Sequence, residues 1–474
     1  MSNHQMSSIV PPQPIFGKIR HIHMVGIGGI GMSSIADVLL EWDFVVTGSD
    51  LKGGEITERL EERGAHIYIG HDEDNIGDAD VVVYTSAIDP SQNPETAAAT
   101  ERGIPLINRA GMLAALTRRK FGVAIAGTHG KTTTTTLTGH VVRAGELDPT
   151  ILVGGRVHGF QERNAVAGTG DVDVVEADEF DRTFLKLTPS LAVITNIEWE
   201  HVDIYDDLED TRKAFVEFAN KVPFYGAVIA CIDDPQVRRV LPHLQPRVVT
   251  YGTRPEAMLR AVDLQEQGFT TRFTVLLDDE RLGDVALKAP GIHNVLNALA
   301  AIGIGLELRM PFQQICRGLA EFSGVFRRFH MRADIGGVLI IDDYAHHPTE
   351  VRATLEAARK GFDDRRIVAV FQPHLYSRTL KFYREFSQAL TAADLVVLTD
   401  IYPSRETPID GVSGQLIVDE IEQHSDTPVH YVPQKEELPR QLKRRVATGD
   451  LVLTMGAGDI TDVGEQLAQL LADE

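Results

Sequence analysis

Short apolar runs alternate with amphipathic stretches along almost the whole chain. HIHMVG, FVVTGSD and VVVYTSAI read as strands near the start, and a helix is expected from about Met32 to Glu41. FGVAIAG opens a second series, continued by VDVVEA, LAVITN and GAVIAC. A polar stretch at 255–288 contains RFTVLL, whose alternation predicts an antiparallel edge strand. GIHNVLNALAAIGIGLEL predicts a helix, and GVLIIDD, RIVAVFQ, DLVVLTD and DLVLTMGAG form a third series. Strands alternating with helices imply largely parallel sheets covered on both faces. No fixed-period repeat or long low-complexity tract interrupts the pattern.

At 474 residues the chain exceeds one ordinary core, since about 150 residues per domain is typical. Breaks at TRRK and near Phe326 divide it into 18–118, 119–325 and 326–474. Lys plus Arg number 46 against 68 Asp plus Glu, a net charge of -22. Such a chain repels nucleic acid and anionic membrane at long range, so neither is an expected partner. Any anionic ligand must then be held by locally placed cations and backbone N–H groups. Cys231 and Cys316 fit neither a metal site nor a disulfide framework. No apolar run is long enough for a signal peptide or a membrane span, so a cytoplasmic protein is expected. Residues 1–17 are expected to be a Pro-containing tail.

Two Gly-rich loops carry the candidate chemistry. Gly26-Ile27-Gly28-Gly29-Ile30-Gly31 is a full G-x-G-x-x-G between a strand and a helix. Glycines let a pyrophosphate approach the backbone, and the helix start offers N–H groups. Asp50 follows about 20 residues later, where a ribose contact is expected. The pattern suits a dinucleotide, a nucleoside diphosphate, or a tight turn needed only for packing. Gly127-Thr128-His129-Gly130-Lys131-Thr132, followed by Thr133, opens a helix after the strand FGVAIA. Its N–H groups suit the phosphates of ATP, Lys131 the β- and γ-phosphates, and the Thr132 hydroxyl a Mg²⁺ ion. The standard first glycine would fall at Ile125, so the cradle is a shortened variant.

Further polar residues sit at expected strand ends. Glu176, with Asp178, Glu179 and Asp181 close by, and His201 in NIEWEH read as metal ligands or as solvated loop groups. Asn294 and Asn297 share one helix face, where they contact a nucleotide or cap loops. Arg327 and Arg328 reach phosphates across a boundary or solvate a hinge. IIDDYAHHP and FQPHLYSRT gather Asp342, Asp343, Tyr344, His346, His347, His374, Tyr376 and Arg378 into a small-molecule pocket. Adjacent His346 and His347 lack the partners of a zinc site. GAGDI near the end reads as a turn into a helix.

Taken in order, GIGGIGMS, TSAI with NPE, AGTHGKTTTT, EADEFD, TNIEWEH, GIHNVLNALAA, VFRRFH, IDDYAHHPTE, FQPHLYSRT and TMGAGDI resemble the Mur ligases of peptidoglycan synthesis. The resemblance runs from about His21 to Leu470. It implies a Rossmann-like N-terminal domain, a central P-loop mononucleotide-binding domain and a Rossmann-like C-terminal domain. It also implies ATP-dependent joining of L-alanine to the lactyl carboxylate of UDP-N-acetylmuramate through an acyl phosphate. A murein-tripeptide-recycling ligase of the same family is the alternative. Gly28, Gly29, Ile30, Gly31, Asp50 and Ser86 would then hold the UDP-sugar. Lys131, Thr132, Asn294, Asn297, Arg328 and Asp343 would hold ATP, and Thr132, Glu176 and His201 the metal, Mg²⁺ or Mn²⁺. Tyr344, His346 and Arg378 would receive the amino acid, with Arg378 on its carboxylate and His201 or His346 as a base. A monomer or homodimer is expected. Two departures stand out: the stretch Lys213–Glu217 has no clear match to the family's carbamylated Lys, and Leu375 stands where some relatives have Arg. An NAD-linked oxidoreductase would explain the first loop alone, and an ATP-gated binding module the second without an amide product.

Overall fold

A computed structural model describes residues 16–118, 120–154, 164–200, 204–404 and 406–473. Its first sheet has five parallel strands in the order His66–Ile69, Val45–Asp50, His21–Val25, Val81–Tyr84 and Leu106–Asn108. The chain runs outward from His21–Val25 in one direction, then returns and runs outward in the other. That reversal opens a crevice at the C-terminal end of the central strand, and the Gly-rich turn lies there. The helix Ile30–Glu41 closes the turn because Ile35, Val38 and Leu39, three or four apart, are all buried.

The second sheet has ten strands. Its parallel part runs Val248–Gly252, Ala227–Cys231, Leu191–Ile194, Phe121–Ala126, Val172–Glu176 and Thr150–Leu152. Strands such as Ala227–Cys231 are apolar throughout because both faces are covered. Phe121–Ala126 sits between strands that follow it on either side, a second switch point. Leu259–Gln267, Thr270–Leu277 and Glu280–Leu287 continue the sheet as an antiparallel meander. RFTVLL is therefore antiparallel, as its alternation predicts, but it is the middle strand and Glu280–Leu287 forms the edge. Alternation reports one buried face and carries no information about neighbours.

The third sheet has six strands, with His330–Ile335 antiparallel to Val338–Asp343. Asp450–Met455, Arg366–Phe371, Leu395–Leu398 and Val429–Tyr431 follow in parallel. The last strand in sequence thus enters the middle of the sheet. The three α/β units expected from the pattern are present. Among the described residues no helix is long and apolar enough to cross a membrane.

The units are joined unequally. One apolar cluster runs from Ile22, Met24 and Leu39 through Leu116 to Phe184, Phe215 and Phe218, so the first two units share a core. The third has its own clusters, centred on Ile341, Phe371 and Leu453 and on Ile340, Val370 and Val452. Phe269 of the central unit packs against the first of these.

At the first boundary, Lys120 Nζ lies 5.2 Å from the Trp42 ring centre and 3.5 Å from a carboxylate oxygen of buried Asp173. Burial pushes the Asp173 carboxyl up to about 6, against the pull of Lys120. The folded chain therefore holds this proton more tightly than the unfolded chain does. Its contribution favours folding below the ordinary value near 3.8 and is lost as pH rises toward 6. Asp173→Asn is expected to flatten that part of the stability curve. Thermal unfolding at pH 4.5 and 7 measures it: the variant's drop between the two should be smaller than the parent's, by about 1–3 kcal/mol.

Candidate functional site

In the first crevice the backbone N–H of Gly28 donates to Asp50 Oδ2 at 2.9 Å. A Cβ on Gly28 would come within 2.8 Å of that oxygen, so a larger residue there would push the Asp50 carboxylate aside. Asp50 thus fastens the loop to the end of the strand Val45–Asp50. Gly29, Ile30 and Gly31 start the helix, and Ile30 is half exposed. Ser86 is exposed in the turn after Val81–Tyr84. Arg109, unremarkable in sequence, brings a guanidinium nitrogen within 2.8 Å of where a Gly31 Cβ would sit. It puts a cation at a loop suited to diphosphate. From the central unit, Asn164 Nδ2 donates to Ile30 O at 2.7 Å.

The second loop follows Phe121–Ala126 and opens the helix Lys131–Ala144. Gly127 has φ 143° and Gly130 φ 81°, both favoured only by glycine. A Cβ on Gly127 would lie 1.9 Å from Thr195 Oγ1. The His129 N–H donates to Asn196 Oδ1 at 2.7 Å, tying the loop to the next strand end. Lys131 Nζ donates to Gly127 O at 2.7 Å, to Thr128 O at 3.0 Å and to Glu179 Oε2 at 2.7 Å. Burial opposes its charge, but Glu179 and Asp178 outweigh that and hold the ammonium above its usual range. Thr132 Oγ1 donates to Glu176 Oε1 at 3.1 Å, and Gly154 N donates to Glu176 Oε2 at 2.6 Å. Burial raises the Glu176 carboxyl, with Lys131 pulling the other way.

A cavity of about 850 Å³ extends from this loop toward the third unit. His129, Gly130, Thr132 and Thr133 line one end, Asn294 and Asn297 one wall, and Arg328 and Asp343 the side facing the third unit. The two asparagines are buried and linked. Thr134 Oγ1 donates to Asn297 Oδ1 at 3.1 Å, Asn297 Nδ2 to Asn294 Oδ1 at 3.3 Å, and Asn294 Nδ2 to Pro290 O at 2.7 Å. They brace the ATP-loop helix and edge the cavity, so bracing and ligand contact are compatible. Lys213 lines a separate surface cleft with Arg212, Arg239 and His243. His201 lies outside the described residues.

The linker into the third unit is strained, with Arg327 at φ 58° and Phe329 at φ 45°. Asp343 pins it: Oδ2 accepts from Phe329 N at 2.7 Å and Oδ1 from Ala345 N at 2.8 Å. Burial pushes the Asp343 carboxyl up to about 6 despite nearby Arg328. Arg327 and Arg328 both lie over the Tyr344 ring, at 5.0 and 5.2 Å. Arg327 also binds Asp342 Oδ2 at 3.2 Å and Gly456 O at 2.6 Å, leaving Arg328 toward the cavity. In the GAGDI turn Asp459 pairs with Lys435 at 2.6 Å and accepts from Gln372 at 3.0 Å, a structural role.

Across the cleft, His129 meets three carboxylates. Its Nε2 is 3.3 Å from Glu198 Oε2, and its Nδ1 is 3.4 Å from Glu350 Oε1 and 4.0 Å from Glu200 Oε2. Burial disfavours the imidazolium, yet hydrogen bonds to Glu198 and Glu350 and the charges of Glu350 and Glu200 raise it to about 10. Glu198 also accepts from Thr349 Oγ1 at 3.0 Å and faces His347 Nδ1 at 3.3 Å. His129, Glu198 and His347 have ligand atoms within 4.8 Å of one another, the spacing of a cation site. Burial and the charge of His129 lower His347 to about 4. Glu350 binds Arg328 at 3.3 Å and the His346 N–H at 3.0 Å. Arg378 Nη2 donates to Glu200 Oε1 at 3.0 Å, and His346 Nε2 lies 3.5 Å from the same oxygen. Tyr344, His346 and Arg378 are thus brought together with Glu200 and Glu350, which composition alone did not single out. Both lie inside quoted motifs, TNIEWEH and DDYAHHPTE.

The switch-point cradle, the wall of asparagines and the cationic third unit facing it define an ATP-using enzyme of three α/β domains. The chain belongs to the Mur ligase family. Models of the Mur ligase catalytic domain, middle domain and glutamate ligase domain match residues 21–121, 125–305 and 327–458. The chain is 54% identical over 462 residues to a UDP-N-acetylmuramate–L-alanine ligase of Salinibacter ruber, covering 98% of this chain and 97% of the relative. It is 48% identical to the same-named protein of a Geobacter species, covering 96% and 98%. The crystal structure of UDP-N-acetylmuramate-alanine ligase from Thermotoga maritima superposes with a TM-score of 0.78 at 31% identity, covering 96% and 99%. A murein peptide ligase from Psychrobacter arcticus shares the fold, with a TM-score of 0.68 at 24% identity, covering 96% and 99%.

Gly127→Ala tests the cradle's backbone. The left-handed φ and the contact with Thr195 predict a loss of about 1–3 kcal/mol in stability, with weakened ATP binding. Thermal unfolding and nucleotide titration of the variant read both effects.

Proposed function

We propose that the enzyme joins L-alanine to the lactyl carboxylate of UDP-N-acetylmuramate in peptidoglycan precursor synthesis, with conversion of ATP to ADP and phosphate. One observation carries the reading: His129 of the phosphate loop is joined through Glu350 to His346 and through Glu200 to Arg378, which sets the loop beside the Tyr344, His346 and Arg378 group. Full-length relatives at 48–54% identity with that name support the choice of L-alanine over a murein peptide. The assignment of residues 18–118 to the UDP-sugar, 119–325 to ATP and 326–474 to the amino acid belongs to this proposal. So does a cytoplasmic site of action, where ATP and the precursor meet.

A carboxylate is a poor acylating agent, so its oxygen first attacks the γ-phosphorus of ATP. ADP leaves and an acyl phosphate forms. The ammonium of L-alanine gives up a proton to a base, for which His201 or His346 is the candidate, and the free amine adds to the acyl carbon. The tetrahedral species then expels phosphate, which carries away the second nitrogen proton, to leave an amide. Both steps gather negative charge on phosphoryl oxygens, and preorganised cations stabilise it. Lys131 must exchange Glu179 for the β- and γ-phosphates, and Arg328 must exchange Glu350 for the transferring group. Asn294 and Asn297 hold the nucleotide side of the cavity. In the first crevice, Gly28–Gly31 and Asp50 hold the diphosphate and ribose, with Ser86 nearby.

The Thr132 hydroxyl bonded to the Glu176 carboxylate is an oxygen donor pair at a helix start, which suits a hard divalent cation. Mg²⁺ held there, with Mn²⁺ as a substitute, would neutralise phosphate charge; His201 belongs to the same proposed ligand set. The third domain, separately cored and joined by a strained linker, closes to keep water from the acyl phosphate.

Lys131→Ala should lower turnover at least 100-fold while the protein stays folded. ADP release by the parent enzyme should require both UDP-N-acetylmuramate and L-alanine, with UDP-N-acetylmuramoyl-L-alanine seen by mass. Near-normal turnover in the variant, or ADP release without L-alanine, contradicts the reading.

A further inference from the structure

The incoming amino acid is a zwitterion, with carboxylate and ammonium on one carbon. Its recognition needs a cation within about 3 Å of the carboxylate and an anion within about 3 Å of the ammonium. The pocket assigned above supplies the cation in Arg378, and the structure places one buried carboxylate against it. Glu200 is 7% exposed and lies on the central domain, at the end of the segment that follows the strand Leu191–Ile194. Its Oε1 accepts from Arg378 Nη2 at 3.0 Å, across the cleft between domains.

Arg378 is not saturated by this contact. Its Nη1 is buried without a hydrogen-bond partner, although the side chain is only 10% exposed. A buried guanidinium nitrogen without an acceptor is costly, which marks a place for one. A substrate carboxylate on Nη1 can leave Glu200 on Nη2, because a guanidinium has five donors in a planar fork. Glu200 also has acceptor capacity to spare. Its other close neighbours are His346 Nε2 at 3.5 Å and His129 Nδ1 at 4.0 Å, both longer than a good hydrogen bond. A carboxylate seated on Nη1 brings its α-ammonium beside Glu200.

We propose that Glu200 binds the α-ammonium of the amino acid, completing with Arg378 a zwitterion clamp whose two halves come from different domains. The proposal rests on the amino-acid ligase reading. Its two halves meet only when the third domain is closed, so amino-acid recognition and closure become one event. The clamp is held in place on both sides. Trp199, next to Glu200, lies under the Lys381 ammonium at 3.3 Å, and its Nε1 donates to Tyr205 O at 2.9 Å. Arg378 sits in the first turn of the helix Tyr376–Leu390, which starts at Leu375 in a left-handed conformation, φ 70°. Leu375 N donates to Tyr402 O at 3.0 Å and Ser377 N to Glu406 Oε2 at 3.0 Å, which fix that turn. Glu200 further makes the pocket hostile to carboxylates that lack an amine, since two anions would then share it with one free donor.

Glu200→Gln keeps the shape and a hydrogen bond to Arg378 and removes only the charge. The full-length enzyme is assayed for the KM of L-alanine and for inhibition by propionate, which is alanine without its amine. The expected result is a KM for L-alanine raised roughly 10-fold or more, as for loss of a buried charge partner. Inhibition by propionate should stay the same or tighten, so that discrimination between the two collapses. An unchanged KM for L-alanine overturns the proposal. So does parallel weakening of L-alanine and propionate, which would mean that Glu200 acts only by orienting Arg378. Arg378→Met separates this from the parent reading, because it should weaken both ligands. If it weakens neither, the amino-acid pocket is misassigned and the clamp falls with it.

Discussion

The imidazolium of His129, held among Glu198, Glu200 and Glu350, is the contact on which the working arrangement depends. His129 belongs to the second Gly-rich loop, just before the helix Lys131–Ala144, and Glu350 to the first turn of a third-domain helix. The loop that cradles phosphate is therefore tied to the domain that would bring the amino acid. A chain of net charge -22 cannot leave these carboxylates unpaired in a buried cleft. His129 inside the cluster, with Arg328 on Glu350 and Arg378 on Glu200, lets three acids from two domains approach. A nucleotide entering the cradle brings more negative charge to the same place, and the balance between domains then shifts. The contact suits a reversible closure because it is made of exchangeable ion pairs.

The apolar packing divides the molecule in a matching way. The first two domains share one continuous core from Ile22 to Phe218, so their relative position is set by buried surface. The third domain meets them mainly through charge, through the Lys381 and Trp199 contact, and through Phe269. Packed cores resist sliding, whereas polar contacts re-form with ligands or water in place of one another. The strain at Arg327 and Phe329 lies in the connection between the second and third domains.

Most groups assigned to ligands are occupied by one another in the structure. Lys131 holds Glu179, Arg328 holds Glu350, Arg378 holds Glu200, Thr132 holds Glu176, and Asp50 holds Gly28. Each exchange replaces one charge-assisted or polar contact with another, so a ligand does not bear the full desolvation of a buried charge on entry. The same pairing keeps the side chains ordered before the ligand arrives, which lowers the entropy lost on binding.

How much of this could be read from the chain alone follows from the range of each interaction. The two Gly-rich loops and the strands before them were legible because local geometry demands those residues at those spacings, and helix periodicity alone put Asn294 and Asn297 on one face. Glycine at Gly127 and Gly130 is required by the backbone itself. The order of strands was not legible, and the insertion of Asp450–Met455 between Val338–Asp343 and Arg366–Phe371 leaves no local trace. Nor was RFTVLL recognisable as a middle strand. Arg109, Glu198, Glu200 and Glu350 were passed over for the same reason: a lone charged residue looks like a solvated one until its partner is known. The sequence by itself determined the two Gly-rich turns and the helices they open, through backbone conformation and periodic burial. Only the tertiary structure decided which acid faces which base, because those pairings join residues such as Glu200 and Arg378 that are distant along the chain and meet only where two domains close.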